Sequence, residues 1–435
     1  MHLDQRDDSG SSGRDRRRKH EVAIVVLVCA AALAAGYVLK ACPAALESDR
    51  AAFACHTDIT ALYSARGIDR HVLPYVHGRL VGDREDRVLT GYDLRLIGGA
   101  NEYPVLTGLF MWAVGFLADD ESRYLTVSAL LLAPFGLLTA YVLGRSAGLR
   151  ALLWAASPAL VLYAFHNWDL LVVGVATAGL WAWWRGRPIM AAALFGIGAA
   201  VKFYPLLFLL PLVIDRWRAG DRRTAISAMG IGAASVAIVN LPMFIADPAG
   251  WLVTYRFHSL RPPNYDSLWG VGPLYDLAPS TLNVLTTGLF AISVGVILWV
   301  AERRRRRDAE YPFLQVCGAL VASYLLWGKV HSPQFALWLL PFFVLISVKL
   351  WWWAAYMVDS VALYFGVFVV GTFSVRALEL LVSTTVYVRA GLLLALIVLF
   401  LRSETTIRAA HTTSGNAGVQ APADRVVLRP GMAPP

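Results

Sequence analysis

Charge is scarce in this sequence. Only 16% of its 435 residues are Asp, Glu, Lys or Arg, against about 25% in ordinary soluble proteins. With 57% hydrophobic residues and a mean hydropathy of +0.55, that shortage excludes a soluble domain of this length. Strict alternation of apolar and polar residues is also missing, which excludes a transmembrane barrel. Backbone groups in hydrocarbon must be satisfied within their own segment, so helices are what remains. There is no Asp-x-Asp pair and no His/Cys cluster with metal-ligand spacing, so neither a metal nor another cofactor is expected. No internal repeat is visible, which weighs against a transporter built from two related halves. Cysteine is rare, four in all. Cys29 and Cys317 lie within apolar runs and read as small hydrophobes. Cys42 and Cys55 share the first loop, where a disulfide stays open because sequence does not show its geometry.

What the chain does have is a series of apolar runs, mostly about 15 to 25 residues long, the length that crosses a bilayer. The first is 21–41, read as a retained signal anchor because no small-residue cleavage site follows it. Later runs lie at 104–118, 123–144, 149–163, 168–184, 188–202, 203–214, 224–245, 281–301, 311–327, 333–348, 350–373 and 387–402. Run 104–118 is short, opens on Pro104 and ends at Asp119-Asp120-Glu121, so it is expected to re-enter or lie flat, leaving about twelve spans. Tyr204-Pro205 breaks the pair 188–202 and 203–214. The predicted fold class is all-α: a polytopic transmembrane helical bundle with a large first extracytoplasmic loop. Its parts are a disordered cytoplasmic N-terminal tail (1–20), a membrane domain (21–402) with outside loops 42–102 and 246–280, and a disordered cytoplasmic C-terminal tail (403–435). Trp and Tyr often sit at the ends of the runs, as interfacial anchors do.

The net charge of +9 falls in clusters between the runs, Arg16 to Lys19, Arg185/Arg187, Arg216 to Arg223 and Arg303 to Arg307. Short cytoplasmic loops carry such clusters, so they report orientation and not nucleic-acid binding.

Under that orientation several polar residues map to the opposite, extracytoplasmic face. Asp58 opens a stretch in which Ile59, Leu62 and Tyr63 fall at helical spacing and Gly67 ends the run, predicting a short amphipathic helix on the outer surface. Asp58 or Thr57 would cap it; alternatively Asp58 is a carboxylate waiting at headgroup level. Glu102, Tyr103 and Pro104 open the next run, and His166 precedes Asn167-Trp168-Asp169; both groups suit helix starts. Lys202 is flanked by apolar sequence, where an ionisable group faces a cavity or a partner or else snorkels to the interface. Lys329 and His331, followed by Gln334, stand between two runs, and Arg261 lies in an aromatic-rich loop. Such cations suit phosphate, and flat aromatic faces suit sugars, although an interfacial belt has the same composition.

The order Cys55-x-x-Asp58-Ile59, Pro74-Tyr75, Glu102-Tyr103-Pro104, Asn167-Trp168-Asp169, Lys202-Phe-Tyr-Pro205 and Lys329-x-x-Ser-Pro-Gln334 resembles glycosyltransferase family 87. That family includes polyprenyl-phosphate-mannose-dependent mannosyltransferases of the actinobacterial envelope. The resemblance implies a GT-C fold with the catalytic acid in the large first outside loop, here Asp58, acting as general base. It further implies a polyprenyl-phosphate sugar donor, a lipid or glycan acceptor, membrane lipids around the bundle, and a plasma-membrane site facing outward. Lys329, His331, Lys202 and Arg261 would hold the leaving phosphate; Glu102, Tyr103, His166, Asp169 and Gln334 would contact substrate. The competing expectation is a polytopic transporter or lipid flippase without glycosyl transfer.

Overall fold

The structure, a computed structural model, describes residues 8–41, 55–82, 94–308, 310–369 and 374–407. Helices run in chain order as α1 Asp8–Lys40, α2 Asp58–Ala65, α3 Val105–Gly115, α4 Glu121–Ala147, α5 Leu152–Ala155, α6 Pro158–Tyr163, α7 Asp169–Trp184 and α8 Pro188–Val201. They continue as α9 Leu209–Arg218, α10 Arg222–Ala246, α11 Pro248–Leu260, α12 Pro279–Asp308, α13 Phe313–Trp327, α14 Ala336–Leu345, α15 Leu350–Phe368 and α16 Val375–Arg402. Among the described residues, five segments are long and apolar enough to cross a bilayer: Asp15–Lys40, Glu121–Ala155, Arg222–Ala246, Pro279–Asp308 and Val375–Arg402. Shorter apolar helices fill in between them. The chain is an all-α membrane protein. α3, with 11 residues, rises only about 16 Å, half the roughly 30 Å of hydrocarbon.

The bundle has two chemically distinct ends. The arginine clusters gather at one end, where Arg304 Nη1 donates to the carbonyls of Leu401 and Ser403 at the close of α16. At the same end Arg150 donates to the carbonyls of Phe343, Val344, Ile346 and Val348, satisfying groups that the end of α14 leaves open. α13 and α14 are almost wholly buried. α10 buries only Ala225, Ala228 and Gly232, and α12 only Leu282, Ile297 and Ala301, so their remaining apolar faces are left for lipid. α8 approaches α10 so closely that a Cβ on Gly196 would collide with the Gly232 carbonyl.

Some boundaries differ from the sequence expectation. α1 begins inside the segment read as an unfolded tail, with Asp15–Lys19 and Arg17–Glu21 pairs at helical spacing supporting its first turns. α16 begins at Val375 and not at 387; Arg376 and Glu379 interrupt the apolar signal there without interrupting the helix. Residues 403–407 are held rather than free: Ile346 and Thr405 form an antiparallel bridge. The first loop contains two three-residue strands, β1 Arg79–Val81 and β2 Arg95–Ile97, paired antiparallel with Leu80 opposite Leu96. Strands that short leave no readable period in a sequence. Cys29 and Cys317 are free and buried; Cys42, and with it the Cys42–Cys55 question, lies outside the described residues.

Candidate active site

The start of α2 answers which residue caps it. Thr57 is the cap: its Oγ1 accepts from the Ile59 amide at 3.2 Å and donates to the Phe165 carbonyl at 2.7 Å. The Asp58 amide donates to the His166 carbonyl at 2.8 Å, so the helix start is tied to the turn before α7. With the cap assigned to Thr57, the Asp58 carboxylate is left for other work. Its Oδ1 lies 3.8 Å from both His56 Nε2 and His166 Nε2, and its Oδ2 accepts from the Tyr103 hydroxyl at 3.3 Å. Burial would raise this carboxyl, but His166, His56 and Lys202 outweigh burial and hold it below the usual carboxylate range. It is therefore ionised at neutral pH. Burial and the Asp58 charge push the Tyr103 phenol up, so it stays a hydrogen-bond donor.

Asp58 faces a cavity of about 520 Å³ at the end of the bundle opposite the arginines. Of the residues singled out in sequence, Asp58, Glu102, Tyr103, Lys202, Arg261, Lys329, His331 and Gln334 line it. His166 stands behind Asp58, and Asp169 lies beneath Lys202. Tyr255, Tyr324, Phe335 and Trp338 add aromatic wall, with Phe335 stacked on Trp338 at 4.0 Å between centroids. Contiguous ring faces of this kind suit either a sugar or a prenyl chain.

The cations in the cavity are not equivalent. Lys202 Nζ pairs with the fully buried Asp169 at 2.7 Å, and it sits 4.6 Å from the Phe335 ring and 5.4 Å from the Trp338 ring. Its charge is already compensated. The carboxylate of Glu102 is likewise taken, held by Arg66 at 2.6 and 2.9 Å. His331 is bonded at both nitrogens, to Asp266 at 3.1 Å and to Arg389 at 3.4 Å. Arg261 and Lys329 differ: among the described residues neither has a carboxylate within ion-pair distance. Lys329 Nζ donates to the carbonyls of Ser259 and Arg261 at 3.1 and 2.9 Å. Arg261 donates to Asn264 Oδ1 at 2.7 Å. Burial, then repulsion from Arg261, lowers Lys329 to about 8; burial also lowers Arg261. Nearby, burial and Arg261 push His258 down to about 4, so its ring adds no charge at neutral pH. An ammonium and a guanidinium sharing a cavity wall without a counterion make a site for an anion.

The metal-ligating atoms of His56, Asp58 and His166 lie within 4.8 Å of one another. No spacing rule finds such a group, because His166 joins it from 108 residues away. Zinc ligands at about 2.0–2.1 Å cannot be farther apart than roughly 4.2 Å, so these side chains would have to close in to hold one. Sequence inspection missed Arg66, Asp359 and Arg389. The signal for the last two was present, since each is an ionisable residue in or beside an apolar run, a placement that calls for a partner. In the structure they are each other's partner, at 2.7 Å.

No curated protein and no solved structure matches this chain. The model of glycosyltransferase family 87 matches residues 102–327. That is just over half of the 435 residues, and it covers the cavity wall from Glu102 to Tyr324 while Asp58, Lys329 and His331 fall outside it. On this match the chain belongs to glycosyltransferase family 87 and is a membrane glycosyltransferase.

Proposed function

We propose that this protein transfers a sugar, with mannose the first choice, from a polyprenyl-phosphate donor to a lipid or cell-envelope glycan. The reaction takes place at the extracytoplasmic face of the plasma membrane, with the arginine end in the cytoplasm as positive loops require. One observation carries the proposal: an ionised carboxylate released from capping, Asp58, shares a cavity with two cations, Arg261 and Lys329, that lack a carboxylate partner among the described residues.

Asp58 accepts the proton of the acceptor hydroxyl as its oxygen bonds to the anomeric carbon. The bond from that carbon to the phosphate oxygen breaks, and polyprenyl phosphate leaves with the electron pair. Arg261 and Lys329 hold the developing charge, the stabilisation such a transition state needs most. A single base and direct attack invert the anomeric centre, so a β-linked donor gives an α-linked product. Lys202 serves from the side: compensated by Asp169, it keeps the cavity floor polar where the ring faces of Tyr103 and Phe335 meet it. A flippase has its ionisable groups near the bilayer midplane, whereas these cavity groups sit at helix ends.

The test is purified protein in lipid nanodiscs, a labelled polyprenyl-phosphate mannose and a total lipid extract as acceptor source. Wild type should label a lipid or glycan product. Asp58→Asn keeps shape and should lose about 10²–10⁴-fold in turnover, the usual contribution of a positioned base. Undiminished turnover in Asp58→Asn would overturn the assignment.

A further inference from the structure

Arg261 and Lys329 repel each other across the cavity wall, so something else must hold the two turns that carry them. A buried chain of four side chains does this. Asp266 Oδ2 meets His331 Nδ1 at 3.1 Å, His331 Nε2 meets Arg389 Nη1 at 3.4 Å, and Arg389 Nε meets Asp359 Oδ2 at 2.7 Å. All four are almost fully buried, at 3, 3, 3 and 4% exposure for Asp266, His331, Arg389 and Asp359. Arginine can only donate, so Nε2 of His331 accepts from it and Nδ1–H donates to Asp266. The direction of every bond is therefore fixed.

The placement of these groups gives the chain a purpose. Asp266 sits on the turn after Arg261, which is closed by the Ser267 amide on the Asn264 carbonyl at 2.9 Å. His331 lies two residues after Lys329. The Asn264 amide donates to the Lys329 carbonyl at 3.0 Å, so the two cation-bearing turns already touch, and the Asp266–His331 bond fastens them. Arg389 and Asp359 then anchor that fastening to α16 and α15, where Arg389 Nη2 also donates to Ser360 Oγ at 3.1 Å.

We propose that Asp266–His331–Arg389–Asp359 is a positioning relay that presets the spacing of Arg261 and Lys329 for a lipid-borne phosphate. This rests on the proposed function of the cavity. None of the four needs to touch the reacting atoms. A cradle fixed in advance binds its anion without first gathering two like charges, which is the benefit of preorganisation.

The experiment compares Asp266→Ala, which breaks the relay, with Asp266→Asn, whose amide oxygen can still accept from His331. The readouts are KM for donor and for acceptor, kcat, and binding of a short polyprenyl phosphate followed by thermal shift. Asp266→Ala should raise donor KM and weaken polyprenyl-phosphate binding about tenfold, the effect of about 1.4 kcal/mol of lost coupling. Acceptor KM should stay within about twofold, and Asp266→Asn should recover most of the loss. Unchanged donor KM in Asp266→Ala, or an equal rise in both KM values, overturns the relay. If Asp266→Ala does not fold, Asp359→Asn, which weakens the far end of the chain at a residue outside the cavity lining, is held to the same outcomes. Wild type that fails to bind polyprenyl phosphate would instead sink the assignment of the cavity, whereas wild-type binding matched by Asp266→Ala sinks the relay alone.

Discussion

The two ends of this bundle use charge in opposite ways. At the arginine end, Glu302 is shared among Arg305, Arg306 and Arg218 at 2.8, 3.2 and 3.5 Å, with Arg306 mostly exposed. Such pairs are interchangeable and screened, and each contributes little. At the cavity end, the charges that are compensated keep fixed partners. Lys202 has Asp169, Glu102 has Arg66, and His331 has Asp266. Set against those partners, Arg261 and Lys329 stand out. The difference teaches where to look for chemistry: a charge cluster marks topology when its members can trade partners, and a site when each partner is fixed and two cations remain over.

That contrast can be broken most directly at Asp58, where Asp58→Asn carries the largest expected loss, about 10²–10⁴-fold in turnover with folding retained. Next comes the buried pair. Asp169→Asn leaves Lys202 without its counter-charge and should destabilise the protein by about 3 kcal/mol, read as an earlier unfolding midpoint. Adding Lys202→Met should recover most of it, because removing both partners removes the uncompensated charge. No recovery in the double variant would mean that Lys202 is held by something other than Asp169. A smaller effect is expected from pH. Lys329 is lowered to about 8 by burial and Arg261, so its proton is lost as pH rises through that value. Donor KM should rise between about pH 8 and 9, and Lys329→Arg, which keeps its charge, should flatten the profile. A donor KM that is flat in wild type over that interval would separate Lys329 from phosphate binding.

Membrane character was legible because long apolar runs have only one stable way to cross hydrocarbon. Apart from its boundaries, the helix order follows those runs closely. The cavity was legible only in part. Asp58, Glu102, Lys202, Arg261, Lys329 and His331 stand out as polar residues at run ends or in the outside loops, but sequence treats them as equals. What ranks them is pairing across 33 residues for Asp169–Lys202 and 36 for Arg66–Glu102, distances in the chain that carry no periodic signal. Thr57 against Asp58 as cap is decided by a torsion and one hydrogen bond, and both residue types are good caps. The Asp266–His331–Arg389 chain joins a loop, a turn and the middle of a helix, so no window of sequence contains it.

The smallest effect is expected where charge is densest. Glu302→Gln removes the negative charge shared by three arginines at once, which looks severe on paper. Yet Glu302 lies near the end of α12, where Arg306 and Arg218 are exposed and water replaces the lost charge. Surface pairs of this kind contribute little, so transfer activity should stay within about twofold of wild type. The cluster would still give the bundle its orientation, because the positive residues that set topology remain and acidic residues contribute little to it. Accessibility labelling of Arg303 to Arg307, each replaced singly by cysteine in wild type and in Glu302→Gln, measures this directly. Unchanged labelling from the cytoplasmic side supports the contrast between the two ends. A large loss of transfer with unchanged labelling would show that the arginine end acts on the cavity, and the contrast would fail.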